Sequence, residues 1–103
     1  MYDIIKAVKV ILGEGLVKVQ LSNNDTMAKV RYNSESHDAE FSIIISENTN
    51  AFIHEYVINK RSDEVCDIHT YKNGKGYYFN IHEVSYEALY SIVVKYCEVL
   101  KTL

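Results

Sequence analysis

Two short stretches of this sequence carry side chains that could do acid–base chemistry. Along residues 65–72 and 77–84, one alternating face holds Asp67, His69 and Tyr71, then Tyr78, Asn80 and His82. A carboxylate can position an imidazole for general acid–base work, and a tyrosine can donate a proton. Tyrosine is also enriched at protein–protein contacts. The six side chains are therefore typical of a solvated sheet face whose tyrosines cover the backbone, of a protein-binding face or, as the alternative function, of a metal-independent nuclease that uses Asp67, His69 and His82.

The two stretches flank the segment Asn73-Gly74-Lys75-Gly76, which is a strong hairpin signal because asparagine and glycine accept positive φ. A loop with an even number of residues places all six side chains on one face, whereas a three-residue loop would reverse one strand. The opposite face is expected to pack on a C-terminal helix; it holds Cys66, Ile68, Tyr77, Phe79 and Ile81.

Metal and cofactor motifs are weak or missing in the sequence. Cys66 and His69 have a C-x-x-H spacing, but residues three apart on a strand point to opposite faces and cannot easily share an ion. The chain contains neither of the glycine-rich fingerprints that cradle phosphates, nor a G-x-S-x-G nucleophile turn. We therefore expect no metal, no cofactor and no nucleophilic serine.

Hydrophobic periodicity predicts the elements that position the hairpin. Helical spacing predicts a helix at 3–12, with Asp3 as N-cap and Gly13 at its end, and a helix at 85–102, with Ser85 as N-cap. Alternation predicts strands at 16–22, 27–33 and 39–45, with a loop at 34–38; the ambiguous segment 51–59 is assigned as a strand because it is short. The prediction is a single α+β domain, 1–103. Its antiparallel sheet of five to six strands, a meander plus the C-terminal hairpin, carries both helices on one face.

Charge is spread unevenly over the 103 residues, whose formal net charge is −3. Residues 34–67 form an acidic zone with eight acidic and two basic side chains. The acids are Glu35, Asp38, Glu40, Glu47, Glu55, Asp63, Glu64 and Asp67. The first strands carry Lys18, Lys29 and Arg31 on their outer face, where Glu40 is expected to pair with them. Because these cations are few and lack neighbouring outward aromatics, direct nucleic-acid binding is not expected.

The N-terminal segment lacks the features of a secretory signal. Asp3 stands where a basic region is expected, and Lys6 and Lys9 interrupt the apolar positions. No apolar run is long enough to span a bilayer. We therefore expect a cytosolic protein, with no membrane partner, in which Cys66 and Cys97 are free thiols rather than a disulfide.

The sequence thus favours a small cytosolic inhibitor that acts on another protein with a basic, nucleic-acid-handling surface, blocking it by occupation and without catalysis. Phage counter-defence proteins of the anti-CRISPR type and toxin-immunity proteins share this profile, an analogy of size and charge and not of any motif. The residues expected to contact the partner are Asp67, His69, Tyr71, Tyr78, Asn80, His82, Glu55, Asp63 and Glu64. No proline protects the edge strands, so pairing between copies is a third possibility, and the chain could be a monomer or a homodimer.

Overall fold

Two helices and five strands make up the parts of the chain that the structure, a computed structural model, describes: residues 1–47, 49–65 and 83–103. In chain order they are α1 (Tyr2–Leu12), β1 (Val17–Leu21), β2 (Met27–Asn33), β3 (His37–Ile45), β4 (Asn50–Asn59), β5 (Glu64–Val65) and α2 (Tyr86–Thr102), with a 3₁₀ turn at Glu14–Leu16. The strands form one antiparallel sheet in the order β1-β2-β3-β4-β5. The predicted α+β arrangement is confirmed, and the ambiguous segment 51–59 is a strand. The predicted hairpin at 65–72 and 77–84 lies almost wholly outside the described residues.

One face of the sheet is apolar because buried residues alternate along its strands. The buried positions of this inner face are Ala28, Val30, Tyr32, Ala39, Phe41, Ile43, Phe52 and Val57. Cross-strand register keeps these side chains together, as where Val30 stands opposite Phe41 and Ile43 opposite Phe52. The buried residues of both helices belong to the same core cluster, so the helices cover this one face, as predicted.

An aromatic cluster joins the second helix to the middle of the sheet. The ring of Tyr96, on α2, packs edge-on against Phe41 and Phe52, with centroid distances of 4.9 and 4.8 Å. All three side chains are fully buried. Because edge-to-face contacts add to the burial of aromatic surface, this cluster fixes where α2 sits on the sheet.

The helix ends agree with the sequence at two positions and differ at a third. The Oγ of Ser85 accepts a hydrogen bond from the Ala88 amide at 3.1 Å, as expected of an N-cap. Gly13 ends α1 with a φ of 102°, which favours glycine. Asp3 is not the N-cap of α1: the helix starts at Tyr2, and Met1 caps it without a side-chain bond. Asp3 instead lies in the first turn, where its charge still complements the helix dipole.

The start of β3 also differs from the prediction. The polar sequence predicts a loop at 34–38, but β3 begins at His37, which is buried. Ser34 closes the tight turn before it, because the His37 amide donates to the Ser34 Oγ at 3.0 Å and the Ser34 amide donates to the His37 carbonyl oxygen at 2.9 Å. These two bonds make the connection a tight turn, which is shorter than the loop that the polar residues predict.

A β-bulge interrupts the pairing of β3 with β4. Glu40 stands opposite Tyr56, whereas Phe41 stands opposite His54, so Glu55 is the extra residue on β4. The bulge places Glu55 and Tyr56 together on the outer face and returns His54 and Val57 to the inner face. Simple alternation from His54 would have turned Tyr56 toward the core and Val57 outward, so the bulge reverses the faces of these two residues.

Candidate protein-binding surfaces

The structure describes three of the nine residues that the sequence assigned to a partner surface. Six of them, in the predicted hairpin, lie outside the described residues: Asp67, His69, Tyr71, Tyr78, Asn80 and His82. The binding-face and nuclease hypotheses for that hairpin therefore stay predictions. Of the other three, Glu55 is on the outer face, whereas Glu64 pairs with Asn59 in the inner-face register and Asp63 lies in the turn before it. Glu55, Asp63 and Glu64 do not form one patch.

The centre of the outer face is a network of paired charges. The Lys29 Nζ lies 3.5 Å from a carboxylate oxygen of Glu40 and 3.7 Å from one of Glu55. On the same face, Arg31 and Asp38 are 3.7 Å apart. The expected pairing of Glu40 with the basic residues is confirmed. Three carboxylates meet two cations here, so most of the negative charge of these three side chains is neutralised locally.

Tyr56 extends this network along β4. Burial raises the pKa of the Tyr56 hydroxyl, and the nearby carboxylates of Asp38 and Glu40 raise it further. The phenol therefore stays protonated near neutral pH and can donate to Glu40, which stands directly opposite in the sheet. Ser42 donates in turn to Glu55 at 3.4 Å. The outer face thus satisfies most of its own charges and hydroxyls, which leaves it poorly suited to capture an oppositely charged partner.

A second set of acidic residues lies at one end of the molecule, and we call this set the acidic pole. Its members are Asp3 in the first turn of α1, Asp25 in the β1–β2 turn, Glu47 in the β3–β4 turn, Glu83 before α2 and Glu87 in the first turn of α2. All five side chains are exposed. Within the described residues, none of the five takes part in an ion pair.

Contacts between these segments bring the acidic pole together. The two turns touch where the Ile45 amide donates to the Thr26 carbonyl oxygen at 2.8 Å. The Tyr2 hydroxyl of α1 donates to the Asp25 carboxylate at 2.9 Å. The side-chain amide of Asn50 donates to the Val84 carbonyl oxygen at 2.9 Å. The N-terminal ends of both helices therefore point to this end, where their dipoles stabilise negative charge.

Carboxylates of the acidic pole contribute to the raised pKa values of two tyrosines. The hydrogen bond to Asp25, followed by the charge of that carboxylate, raises the pKa of Tyr2. Burial raises the pKa of Tyr86, and the next largest cause is the charge of Asp3, on the other helix. The charge of a residue in the first turn of α1 thus contributes to the raised pKa of a residue in the first turn of α2.

Packing and hydrogen bonding account for the titratable side chains found in and beside the core of the described residues. The Nδ1 of His54 lies 2.8 Å from the Tyr96 hydroxyl inside the aromatic cluster. Burial raises the pKa of Cys97 far above its usual range, so this residue stays a thiol, which is the unreactive form. Cys97 is a free cysteine, as expected, and Cys66 lies outside the described residues.

Neither a metal site nor a membrane span is found in residues 1–47, 49–65 and 83–103. In those ranges no three His, Cys, Asp or Glu side chains are grouped so that they could hold an ion. No helix in the same ranges is long and apolar enough to cross a bilayer.

Comparison with known proteins gives no relative for this chain: no family model matches it, and no curated protein or solved structure is significantly similar to it.

The acidic pole is the feature that sequence reasoning missed. Only Glu47 belongs to the acidic zone at 34–67; the other members come from the two ends of the chain and the first turn of the meander. A usable signal is nevertheless present, because alternate turns of an antiparallel meander lie at the same end of the sheet. That rule alone places the turns containing Asp25 and Glu47 together.

Proposed function

We propose that this chain is a small binding protein that inhibits a nucleic-acid-handling protein by placing its acidic pole on a basic surface of that partner. The observation that supports this proposal is the convergence of five exposed acidic side chains on the end where both helices begin. These carboxylates are held by short turns and first helical turns, so a partner meets a negative surface that needs little ordering.

Charge placement favours the acidic pole over the outer face as the docking surface. The outer-face acids Asp38, Glu40 and Glu55 already have cationic partners on neighbouring strands. Docking there would break those pairs before it could form new ones. The carboxylates of the acidic pole remain available to bind an incoming Lys or Arg. A surface potential of one sign also speeds the encounter of oppositely charged proteins.

The basic surfaces of nucleic-acid-handling proteins are the natural complement of such a pole. They present rows of Lys and Arg spaced to neutralise backbone phosphates. A rigid group of carboxylates can occupy the same positions and exclude the nucleic acid. In this proposal the chain supplies no catalytic group and needs no cofactor, and its effect is competitive.

The test is capture of a partner from lysate of the source cells on immobilised protein, with two variants of equal charge change. The first variant carries E47Q, E83Q and E87Q, which remove three charges of the acidic pole. The matched control carries E14Q, E35Q and E98Q, which remove three exposed charges elsewhere. Thermal unfolding first confirms that all three proteins are folded.

We expect the unaltered protein and the control to retain one stoichiometric partner at low salt, and the acidic-pole variant to bind it about tenfold more weakly. Raising the salt from about 0.05 M to about 0.5 M should release the partner, because the screening length falls with ionic strength. Equal retention by both variants, or a loss in the control alone, would rule out the acidic pole as the docking surface.

A further inference from the structure

β1 forms an edge of the sheet, and its hydrogen-bonding pattern shows which groups face outward. Among the described strands, β1 pairs only with β2. The Ser22 amide donates to the Met27 carbonyl oxygen at 2.9 Å, and bonded positions recur at every second residue of an antiparallel pair. Lys18 and Gln20 therefore bond toward β2. The intervening residues, Val17, Val19 and Leu21, direct their N–H and C=O groups to the open edge.

This edge lacks two of the devices that usually prevent strand addition, proline and a bulge, although Lys18 gives it a charged side chain. β1 is a regular five-residue strand without proline, and the bulge of the sheet lies far away on β4. On the inner face, Val19 and Leu21 are only partly buried, although the equivalent positions of β2 are fully covered. An added strand would therefore gain main-chain hydrogen bonds and cover apolar surface at the same time.

A concavity of about 520 Å³ runs along α1. Its lining includes Tyr2, Ile5, Lys6 and Lys9, which share one helical face, together with Glu14. The Tyr2 hydroxyl on this face donates to the carboxylate of Asp25, in the β1–β2 turn. Lys6 and Lys9 therefore lie on the side of α1 that is bonded to the β1–β2 hairpin.

The charges around the open edge are mainly positive. Lys18 lies on the outer face of β1, and Lys6 and Lys9 lie on the side of α1 that Tyr2 bonds to the β1–β2 hairpin. In the part of the chain that the structure describes, none of these three lysines forms an ion pair. Lys18 also stands directly opposite Arg31, whose guanidinium lies 3.7 Å from the Asp38 carboxylate, so Lys18 is the cation of this cross-strand pair that an incoming anion can neutralise.

We propose that the open edge of β1 binds an extended acidic segment of a partner protein, which joins the sheet as an additional strand. Main-chain bonds to Val17, Val19 and Leu21 provide affinity, and alternating side chains provide specificity. Carboxylates on the outer side of the segment meet Lys18, and its apolar side chains cover the inner face beside α1. A second copy of this chain complements the edge less well, because it brings the same lysines to the contact.

The probe is a capped nine-residue peptide in which valine and glutamate alternate, compared with one in which valine and lysine alternate. Backbone amide chemical shifts of the ¹⁵N-labelled protein report both affinity and location. We expect the glutamate peptide to shift the amides of Val17, Val19 and Leu21 and to bind at least about tenfold more tightly than the lysine peptide.

Two variants separate main-chain pairing from charge. Val19→Pro removes one outward N–H while leaving the bonds from β1 to β2 in place, and it should abolish binding of the glutamate peptide. K18Q should weaken it about tenfold, whereas the matched variant K95Q, on α2, should not. Circular dichroism and thermal unfolding confirm that each variant is folded.

Three results would overturn the proposal: equal binding of the two peptides, shifts confined to other parts of the protein, or unchanged binding by Val19→Pro. Sedimentation equilibrium of the protein alone tests the remaining alternative, which is that a second copy of this chain occupies the edge. A dimer that Val19→Pro dissociates would mean that a second copy, and not an acidic segment, occupies the edge. None of these measurements depends on the acidic pole, so this proposal and the proposed function can fail separately.

Discussion

His54 and Tyr96 connect the sheet to the second helix through a hydrogen bond in the core. The His54 Nδ1, on β4, lies 2.8 Å from the Tyr96 hydroxyl, on α2, and the ring centroids are 5.7 Å apart. Tyr96 is fully buried, and burial raises its pKa, so the hydroxyl stays protonated. A polar pair inside an apolar cluster allows α2 one favourable position on the sheet.

Tyr96→Phe should lower the free energy of unfolding by about 1–2 kcal/mol, because it removes the hydroxyl and leaves an imidazole nitrogen without this partner. Urea unfolding followed by circular dichroism measures the change. Tyr90→Phe, on the exposed side of the same helix, is the control and should change stability by less than about 0.5 kcal/mol. Equal effects of the two substitutions would contradict the structural role of the bond.

Cys97 should be protected from thiol reagents for as long as the protein is folded. Its side chain is buried and its pKa is raised by that burial, so almost no thiolate is present and the reagent has no access. The measurement is alkylation of a Cys66→Ser variant by iodoacetamide with and without urea. Labelling should follow the unfolding transition; rapid labelling in buffer would show that α2 does not bury Cys97 against the rest of the core.

His37 should make the protein less stable in mild acid. Burial lowers the pKa of this imidazole below its usual 6.5 in the folded state, so below pH 6.5 the unfolded chain binds more protons. Its contribution is complete above pH 6.5 and is lost as the pH falls toward the folded-state pKa. Urea midpoints between pH 7 and pH 5 should therefore decline more steeply for the unaltered protein than for His37→Gln. Parallel declines would assign the effect to other groups.

Lys29 should stabilise the outer face by a modest amount that depends on salt. Lys29→Gln leaves the carboxylates of Glu40 and Glu55 close together without a cation, and we expect a loss of about 0.5–1 kcal/mol because all three groups are partly exposed. Lys95→Gln, an exposed lysine of α2, is the control. In about 1 M salt, where the screening length is about 3 Å, the difference between the two variants should nearly vanish. A difference that persists there would mean that Lys29 acts through packing.

The strands were predictable from sequence because their alternation is regular and their turns are polar. Val17 to Leu21 and Met27 to Asn33 alternate cleanly, and the register between them keeps one face apolar. The same rule fails after Glu55. One inserted residue on β4 turns Tyr56 to the outer face and Val57 to the core, the reverse of simple alternation from His54, and no local pattern marks a bulge.

The candidate site was harder to predict than the fold because charges act through space. Counting acids along the chain pointed to residues 34–67, but Asp38 and Glu40 meet cations from the neighbouring strand. The acidic pole combines residues as distant in sequence as Asp3 and Glu87. Such a surface appears only when the helix and turn positions are known, although the meander already implied part of it.

The central claim is tested most directly by competition between this protein and a nucleic acid for the captured partner. The purified partner is bound to a fluorescently labelled duplex, and the anisotropy is followed as the protein is added. The account predicts that the protein releases the duplex, and that the variant with E47Q, E83Q and E87Q needs about tenfold more to do so. A stable complex that holds partner, duplex and protein together would contradict inhibition by occupation of the basic surface.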